Sequence, residues 1–277
     1  MRVLVLGAQG MLGKDLVPIL SLKKQVLARD IDDFDITDDQ RVEREIKALH
    51  PQVVINAAAY TNVDGCEAKK ELAFSVNADA ARKVALGCRA AGARMIHLST
   101  DYVFDGSSTI PYREEDPPAP LNVYGASKLQ GEWNIREILE DHLIIRTAWL
   151  YGHYGKNFVG TILRLADQQE ELRVVNDQRG APTFTRDLSR AIDRLLQEKI
   201  AGTLHVTNSG ACTWFEFARQ ILKEKQKNAV WVIPITSAQL ARPAKRPANS
   251  MLDCSRFQKI IGQKMRPWEE ALKEYLF

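Results

Sequence analysis

The amino-acid sequence predicts an α/β fold, in which helices cover both faces of a doubly wound parallel sheet and a smaller lobe follows. Three observations support this fold class. Short apolar runs alternate with longer amphipathic stretches over residues 1–150, a glycine-containing turn joins the first run to the first amphipathic stretch, and internal repeats are absent. A strand–helix alternation of this kind is typical of a parallel sheet that is buried on both sides.

The strands of the first half are short and rich in β-branched residues, and they are predicted at residues 2–6, 25–28, 53–55, 94–98 and 143–146. The run at 53–55 is continuously apolar, as expected for a strand that is covered on both faces. Amphipathic spacing predicts the intervening helices at about residues 11–20, 38–49, 66–91 and 123–139, and a break near Asn77 is considered for the third of them. The order of these elements indicates successive right-handed βαβ units.

The pattern becomes looser after Trp149. Helices are predicted near residues 157–167, 185–197, 213–225 and 268–276, with short strands near 172–175 and 204–206. Residues 241–247 contain two prolines and three basic residues, and this composition predicts a loop. We expect residues 1–150 to form one domain and residues 151–277 mainly a smaller lobe, with some crossing of the chain between them.

Composition excludes several classes of function. A net charge of +3 over 277 residues, with Lys and Arg scattered among Asp and Glu, does not predict nucleic-acid binding. No apolar stretch approaches the roughly 20 residues needed to span a bilayer, so no membrane partner is expected. Four widely spaced cysteines predict free thiols and no metal site. We therefore expect a cytoplasmic protein.

Residues 7–13 carry the first functional signal, because Gly7, Gly10 and Gly13 lie between the first strand and the first helix. Glycine allows a tight turn and a close approach of the backbone to a pyrophosphate, and a helix N-terminus favours that anion. The spacing GxxGxxG departs from GxGxxG, and an ordinary glycine-rich turn is the alternative. Its position at the first strand favours a Rossmann-like dinucleotide-binding domain, with cofactor contacts from Gly7, Gln9, Gly10, Met11 and Leu12.

Residues after the second strand give conflicting indications about the cofactor. Asp30, Asp35 and Ile36 stand where a carboxylate would bind the adenosine ribose of NADH, whereas Arg29 could contact the 2′-phosphate of NADPH. The sequence is therefore compatible with NADH and with NADPH.

Tyr124 and Lys128 form a YxxxK motif on a predicted helix. Residues at i and i+4 share a face, so the phenol and the ammonium project the same way. A free tyrosine has a pKa near ~10, and a neighbouring cation is expected to lower it. Thr100 ends the fourth strand, where it could orient a substrate carbonyl; capping of the next turn is the alternative role for Thr100 and its neighbour Ser99.

Seven segments of this sequence resemble the dTDP-4-dehydrorhamnose reductases, a group within the extended short-chain dehydrogenases/reductases. The resemblance covers nearly the whole chain and rests on residues 7–13, 56–64, 99–104, 120–125, 146–151, 176–183 and 246–250. The first-half motifs are shared with sugar epimerases and dehydratases. The segments at 176–183 and 246–250 are more specific to the reductases.

The resemblance implies NADPH- or NADH-dependent reduction of the 4-keto group of a nucleotide sugar. It implies that Thr100, Tyr124 and Lys128 are the catalytic set. The further contacts with the cofactor would come from Ala57, Ala58, Ala59 and Tyr60. The contacts with the substrate would come from Val63, Thr100, Asp101, Trp149, Gln178, Arg246 and Asn249, with Arg246 and Asn249 at the diphosphate. For Trp149 a role in core packing is almost equally compatible.

Assembly and metal binding are less well defined. Some family members bind Mg²⁺ at a dimer contact, but Asp15 and Glu269 do not make a complete set here, so no metal is predicted. A monomer or a homodimer is compatible with the sequence. Two rival functions also remain: a nucleotide-sugar epimerase or dehydratase, and a non-enzymatic regulatory subunit that binds a dinucleotide.

Overall fold

Strands and helices alternate along the first half of the chain in a computed structural model that describes residues 1–277 apart from the side chain of Gln40. In chain order the elements are β1 (Arg2–Leu6), α1 (Met11–Ser21), β2 (Gln25–Arg29), α2 (Asp39–Leu49), β3 (Val53–Asn56), α3 (Val63–Ala68), α4 (Lys70–Phe74), a π-helical turn (Ser75–Asp79), α5 (Ala80–Ala91), β4 (Arg94–Thr100), a 3₁₀ turn (Asp101–Val103), α6 (Val123–Ile138) and β5 (His142–Thr147).

The second half has shorter strands. Its elements are β6 (Leu150–Tyr151), α7 (Phe158–Ala166), β7 (Glu171–Val175), β8 (Arg179–Gly180), β9 (Thr183–Phe184), α8 (Thr185–Leu195), β10 (Gly202–His205), β11 (Cys212–Thr213), α9 (Trp214–Glu224), β12 (Trp231–Ile235), α10 (Ser237–Leu240), α11 (Ser255–Ile261) and α12 (Trp268–Leu276).

Six parallel strands form the central sheet in the order β10-β5-β4-β3-β1-β2. The predicted α/β fold is confirmed. Strand order reverses direction between β1 and β3, and ligands of doubly wound sheets bind outside the carboxyl ends of strands at such a point. The turn after β1 and the segment after β3 are therefore neighbours at this edge. The carboxyl ends of β4 and β5 lie beside them.

Apolar side chains fill both faces of the sheet. On one face α1 and α8 pack together through residues such as Leu16, Leu20 and Ile192. On the other face α2, α5 and α6 bury residues such as Ile46 and Val84. Strand β10 and helix α8 come from the second half of the chain but complete the central layers, so the chain crosses between the two parts.

A third apolar cluster forms the core of the smaller lobe, in which β7 pairs with β12 and helices α7, α9 and α12 pack around them. Aromatic residues dominate this cluster, including Tyr151, Phe184, Phe217 and Trp268. Among the described residues, no helix combines the length and apolar character required to cross a bilayer.

The helical stretch expected at 66–91, with a break considered near Asn77, is divided in the structure by the π-helical turn Ser75–Asp79. Asn62 caps α3 by accepting a hydrogen bond from the Gly65 N–H at 2.9 Å. Asn77, inside the π-helical turn, uses its amide to bind the N–H and the carbonyl of Tyr60 at 2.9 and 3.1 Å. The bonds from Asn77 to the distant backbone of Tyr60 accompany the break, and hydrophobic spacing alone does not reveal them.

Candidate active site

The glycine turn after β1 is shaped by close backbone packing. Gly7 has φ +80°, and a Cβ there would lie 2.6 Å from the Ala58 N atom. A Cβ on Gly13 would lie 2.2 Å from the Gly7 carbonyl oxygen. Gly10 precedes α1 and offers no side-chain cap to its first turn. The turn therefore leaves backbone N–H groups of a helix N-terminus available for an anion such as a pyrophosphate.

A cavity of about 270 Å³ lies beside this turn. Its lining includes the sequence-predicted residues Gly7, Gly10, Asp30, Asp35, Ile36, Ala57, Ala58 and Ala59, together with Arg29. Asp30 holds the turn in place, because its carboxylate accepts hydrogen bonds from the Gln9 N–H at 2.7 Å and the Ile31 N–H at 2.8 Å. The cavity thus offers both an acidic and a basic side chain at the position where an adenosine ribose would lie.

The N-terminus of α6 is fixed tightly against the end of β4. Asn122 caps the helix by accepting from the Gly125 N–H at 2.8 Å. A Cβ on Gly125 would lie 2.1 Å from the Tyr102 carbonyl oxygen, so only glycine permits this approach. The contact brings the Tyr124 hydroxyl into a hydrogen bond with Thr100. Two residues predicted to act together are neighbours in the structure.

Burial raises the pKa of the Tyr124 phenol above its ordinary value, while the bond to Thr100 acts in the opposite direction. The expected lowering by Lys128 is therefore wrong for this structure. Desolvation of the buried phenol outweighs its favourable contacts, and the ammonium of Lys128 is engaged elsewhere. A phenol with a raised pKa is neutral at pH 7, and it is in the protonation state required of a proton donor.

Lys128 points into the buried space under the end of β4. Its Nζ donates to the Leu98 carbonyl at 2.5 Å and lies 3.3 Å from His97 Nε2. Burial lowers the pKa of Lys128 to about 8, although the charge of Glu132 opposes this change. His97 is also fully buried, and both burial and the lysine charge push its pKa well below the ordinary value. A neutral imidazole can accept a hydrogen bond from the ammonium.

Glu132 lies on the same face of α6 as Tyr124 and Lys128 and is fully buried. Arg146 on β5 makes a forked ion pair with it, at 2.9 Å from Nε and 2.7 Å from Nη2. Ser99 donates to the same carboxylate at 2.5 Å. This network joins α6 to β4 and β5 directly below the catalytic candidates.

A second cavity of about 1170 Å³ lies between the sheet edge and the smaller lobe. Tyr102 lines it at the sheet edge, and Phe158 and Trp214 line it in the smaller lobe. Gln178, Arg242 and Arg246 also reach it. Its volume and its mixture of aromatic and cationic groups suit a ligand with an aromatic ring and an anionic group.

Arg246 is held at this cavity by Asp64 at the start of α3. The Asp64 carboxylate also accepts from Arg242 at 3.0 Å and from the Ala244 N–H at 3.2 Å. Burial alone would raise the pKa of Asp64, but these hydrogen bonds bring it down to about 2. The loop at 241–247 is thus held against the first half of the chain by this carboxylate and by Asn122, whose amide donates to the Lys245 carbonyl at 2.8 Å.

Five of the residues predicted to contact the substrate do not line the larger cavity: Val63, Thr100, Asp101, Trp149 and Asn249. Trp149, at φ +48°, stacks on Trp214 with ring centroids 3.5 Å apart, so it supports a lining residue from behind. Asn249 donates its amide to the Ser108 carbonyl at 2.7 Å and joins two loops. Val63 begins α3 and is also outside the lining.

The family of this chain is shown by comparison with known proteins. A family model described as the RmlD substrate binding domain matches residues 1–277. The chain belongs to this family. A dTDP-4-dehydrorhamnose reductase from Streptomyces griseus is 43% identical to the RmlD-family chain over 280 residues, covering 99% of the chain and 92% of the relative.

Two further relatives are consistent with membership of the chain in this family. A spore coat polysaccharide biosynthesis protein, SpsK, from Bacillus subtilis is 42% identical and covers 99% of the chain and 96% of the relative. A solved dTDP-4-dehydrorhamnose reductase from Bacillus anthracis, in complex with NADP, is 39% identical with a TM-score of 0.95 and covers 99% of the chain and 98% of that structure. The resemblance found in the sequence is confirmed.

Several residues of the site in this RmlD-family chain have little signal in the sequence. Asp64 lies in a motif used for the resemblance, and Arg242 lies in the basic loop, but neither was expected at the site. Trp214 carried no motif at all. A pairing between residues so distant in sequence becomes visible only when α3 and the loop are brought together.

The two positions considered for a metal ion, Asp15 and Glu269, lie in different helices. Asp15 is buried in α1 and accepts a hydrogen bond from Thr185 Oγ1, and Glu269 lies in the first turn of α12. Among the described residues, no group of three or more His, Cys, Asp or Glu side chains is arranged to hold an ion.

Proposed function

We propose that this protein reduces the 4-keto group of dTDP-4-dehydro-β-L-rhamnose to give dTDP-β-L-rhamnose, a precursor of cell-surface polysaccharides, with NADPH or NADH as cofactor. The observation that carries the proposal is the hydrogen bond between Tyr124 and Thr100 at the carboxyl end of β4, two residues before Tyr102, which lines the arginine-lined cavity. The name of the relative at 43% identity, a dTDP-4-dehydrorhamnose reductase, supports the same reaction.

Each residue of the site has a separate role in the reaction. When bound, a reduced nicotinamide supplies the hydride that the C4 carbonyl carbon receives. Tyr124 donates its phenolic proton to the oxygen of that carbonyl, and its neutral state suits this role. Thr100 orients the ketone through its hydroxyl. Lys128 holds a ribose hydroxyl through its ammonium, and Arg246 binds the diphosphate through its planar fork of donors.

The cavity beside the glycine turn suits the adenosine end of a dinucleotide. Glycine at position 7 leaves room beside Ala58, and the first turn of α1 can accept the pyrophosphate. Gln9, Met11, Leu12 and Tyr60 belong to the same proposed cofactor site, because they lie in the glycine turn or follow β3. Arg29 and Asp30 both line the cavity, which supports use of either cofactor.

The larger cavity is the proposed site of the nucleotide sugar. Gln178 and Arg246 line it directly. Val63, Trp149 and Asn249 would act at its margins, and Asp101 lies beneath Thr100.

The deciding experiment incubates the purified protein with dTDP-4-dehydrorhamnose and each reduced cofactor, and follows cofactor absorbance together with the product. We expect one equivalent of cofactor to be oxidised for each dTDP-rhamnose formed. An epimerase or dehydratase would convert a nucleotide sugar without net loss of absorbance. A regulatory subunit would leave every keto sugar unchanged and would be recovered with a partner enzyme. Either result would refute the proposal.

A further inference from the structure

Asp101 is a buried carboxyl group next to the proposed proton donor. It begins the 3₁₀ turn after β4 and is 2% exposed. Its Oδ1 lies 3.0 Å from Thr100 Oγ1. Its other oxygen, Oδ2, is buried and has no hydrogen-bond partner among the described residues. A fully ionised carboxylate would leave a charged oxygen without compensation, which is costly in an apolar environment.

The surroundings of Asp101 favour its neutral form. Burial raises its pKa to about 7, although hydrogen bonds with the hydroxyls of Ser250 and Thr100 and with backbone N–H groups act against this change. The other titratable groups facing it are the phenols of Tyr102 and Tyr124. Arg246, which lies beside Tyr102, uses its guanidinium group in the ion pair with Asp64. Asp101 therefore holds a proton near neutral pH.

The Thr100 hydroxyl connects this acid to Tyr124. A hydroxyl has one donor and two acceptor sites. The Tyr102 N–H fills one acceptor site at 3.1 Å. In the structure the Thr100 hydroxyl donates to Asp101 Oδ1 at 3.0 Å. When Asp101 is protonated on that oxygen, the direction of this bond reverses, and the Thr100 proton becomes available to the Tyr124 oxygen. The three groups then form a complete chain of donors.

We propose that Asp101 is a positioning residue that returns a proton to Tyr124 through the hydroxyl of Thr100. This inference rests on the proposed function. As the Tyr124 proton moves to the substrate oxygen, the Thr100 proton moves to the phenol oxygen and the Asp101 proton moves to the Thr100 oxygen. The oxygens of Tyr124 and Thr100 each lose one proton and gain one, the substrate oxygen gains one, and Asp101 loses one; no electrons move between these groups. The Asp101 carboxylate regains its proton from solvent after product release.

The test compares Asp101→Asn with wild-type enzyme. Asparagine keeps a donor and an acceptor but cannot release a proton at working pH. We expect kcat to fall at least about tenfold, with the KM of both substrates changed by less than about twofold. The wild-type kcat should fall as pH rises through about 7, and this limb should be absent in Asp101→Asn. The control is Asp105→Asn, which changes a carboxyl in the same segment that bonds Tyr112 and should preserve the profile.

A second measurement uses the wild-type enzyme alone and does not depend on the folding of a variant. Single-turnover rates in mixtures of H₂O and D₂O should curve with the deuterium fraction, because several protons move together. A straight line would overturn the relay. So would an Asp101→Asn enzyme with wild-type kcat and pH profile, or one with a raised KM and unchanged kcat. Failure of wild-type enzyme to reduce any keto sugar would instead refute the proposed function.

Discussion

Asp64 and Arg246 lie 182 residues apart in the chain and form a two-pronged ion pair at the larger cavity, with Nη1–Oδ1 at 2.8 Å and Nη2–Oδ2 at 3.0 Å. This pair fixes a loop of the second half against the first helix after β3. It determines where the arginine stands before a substrate arrives, so the affinity for an anionic substrate depends on a carboxylate that need not touch it.

Replacing Asp64 by Asn should therefore raise the KM of the nucleotide sugar about tenfold with little change in kcat, since a hydrogen bond to a charged group contributes roughly 1.5–3 kcal/mol. Steady-state kinetics measures both constants. The control is Asp167→Asn, which removes an ion pair with Lys227 away from the site. An unchanged KM in Asp64→Asn would contradict the role of the pair.

Tyr124→Phe tests the proton donor. The variant should lower kcat by about 10²–10⁴ because it removes the acid and leaves the ring packing in place. Binding of the cofactor, followed by tryptophan fluorescence, should stay near the wild-type value. Tyr112→Phe is the matched control, since that phenol bonds Asp105 at 2.8 Å. Near-normal turnover in Tyr124→Phe would refute the assignment.

The pKa of Lys128, lowered by burial to about 8, predicts opposite pH trends for binding and stability. Above pH 8 the folded protein loses the ammonium, so NADPH affinity should fall. In the unfolded chain Lys128 keeps its proton up to its ordinary pKa of about 10.5. The contribution of Lys128 to the unfolding free energy should therefore increase as pH rises between these two values. Fluorescence titrations of NADPH and urea unfolding across this range measure the two trends. Lys128→Arg should retain binding at high pH if charge alone is required.

Gly180→Ala should disturb the stacked tryptophans. A Cβ at position 180 would lie 2.5 Å from Trp149 Cε2, and Trp149 stacks on Trp214 in the cavity wall. We expect a change in tryptophan emission and a KM for the nucleotide sugar raised at least about threefold, about 0.7 kcal/mol. Gly160→Ala is the control, because its new Cβ would meet only Asn157 Oδ1, at 3.8 Å. Identical emission from both variants would argue against the packing role.

The buried pair of Glu132 and Arg146 should show strong coupling. Arg146→Met leaves a buried carboxylate without its forked partner and should cost about 3–5 kcal/mol of unfolding free energy. Glu132→Leu combined with Arg146→Met should recover much of that loss, since both charges are removed together. Urea unfolding of the two single variants and the double variant gives the coupling energy. Additive losses would show that the pair acts as two independent groups.

The sequence alone determined the parallel sheet, the glycine turn and the nearness of Tyr124 to Lys128 on one helix face. These features depend on local spacing, because hydrophobic period, glycine position and the i, i+4 relation are properties of short segments. The order of the motifs along the chain also placed Thr100 at the edge where ligands bind.

Only the tertiary structure decided how charges are distributed at that edge. Burial raised the pKa of Tyr124 against the sequence-based expectation, because desolvation depends on everything packed around a group. The same holds for the pairing of Arg246 with Asp64 and for the stacking of Trp149 on Trp214. Contacts between segments far apart in sequence arise from the whole fold, and no local pattern records them.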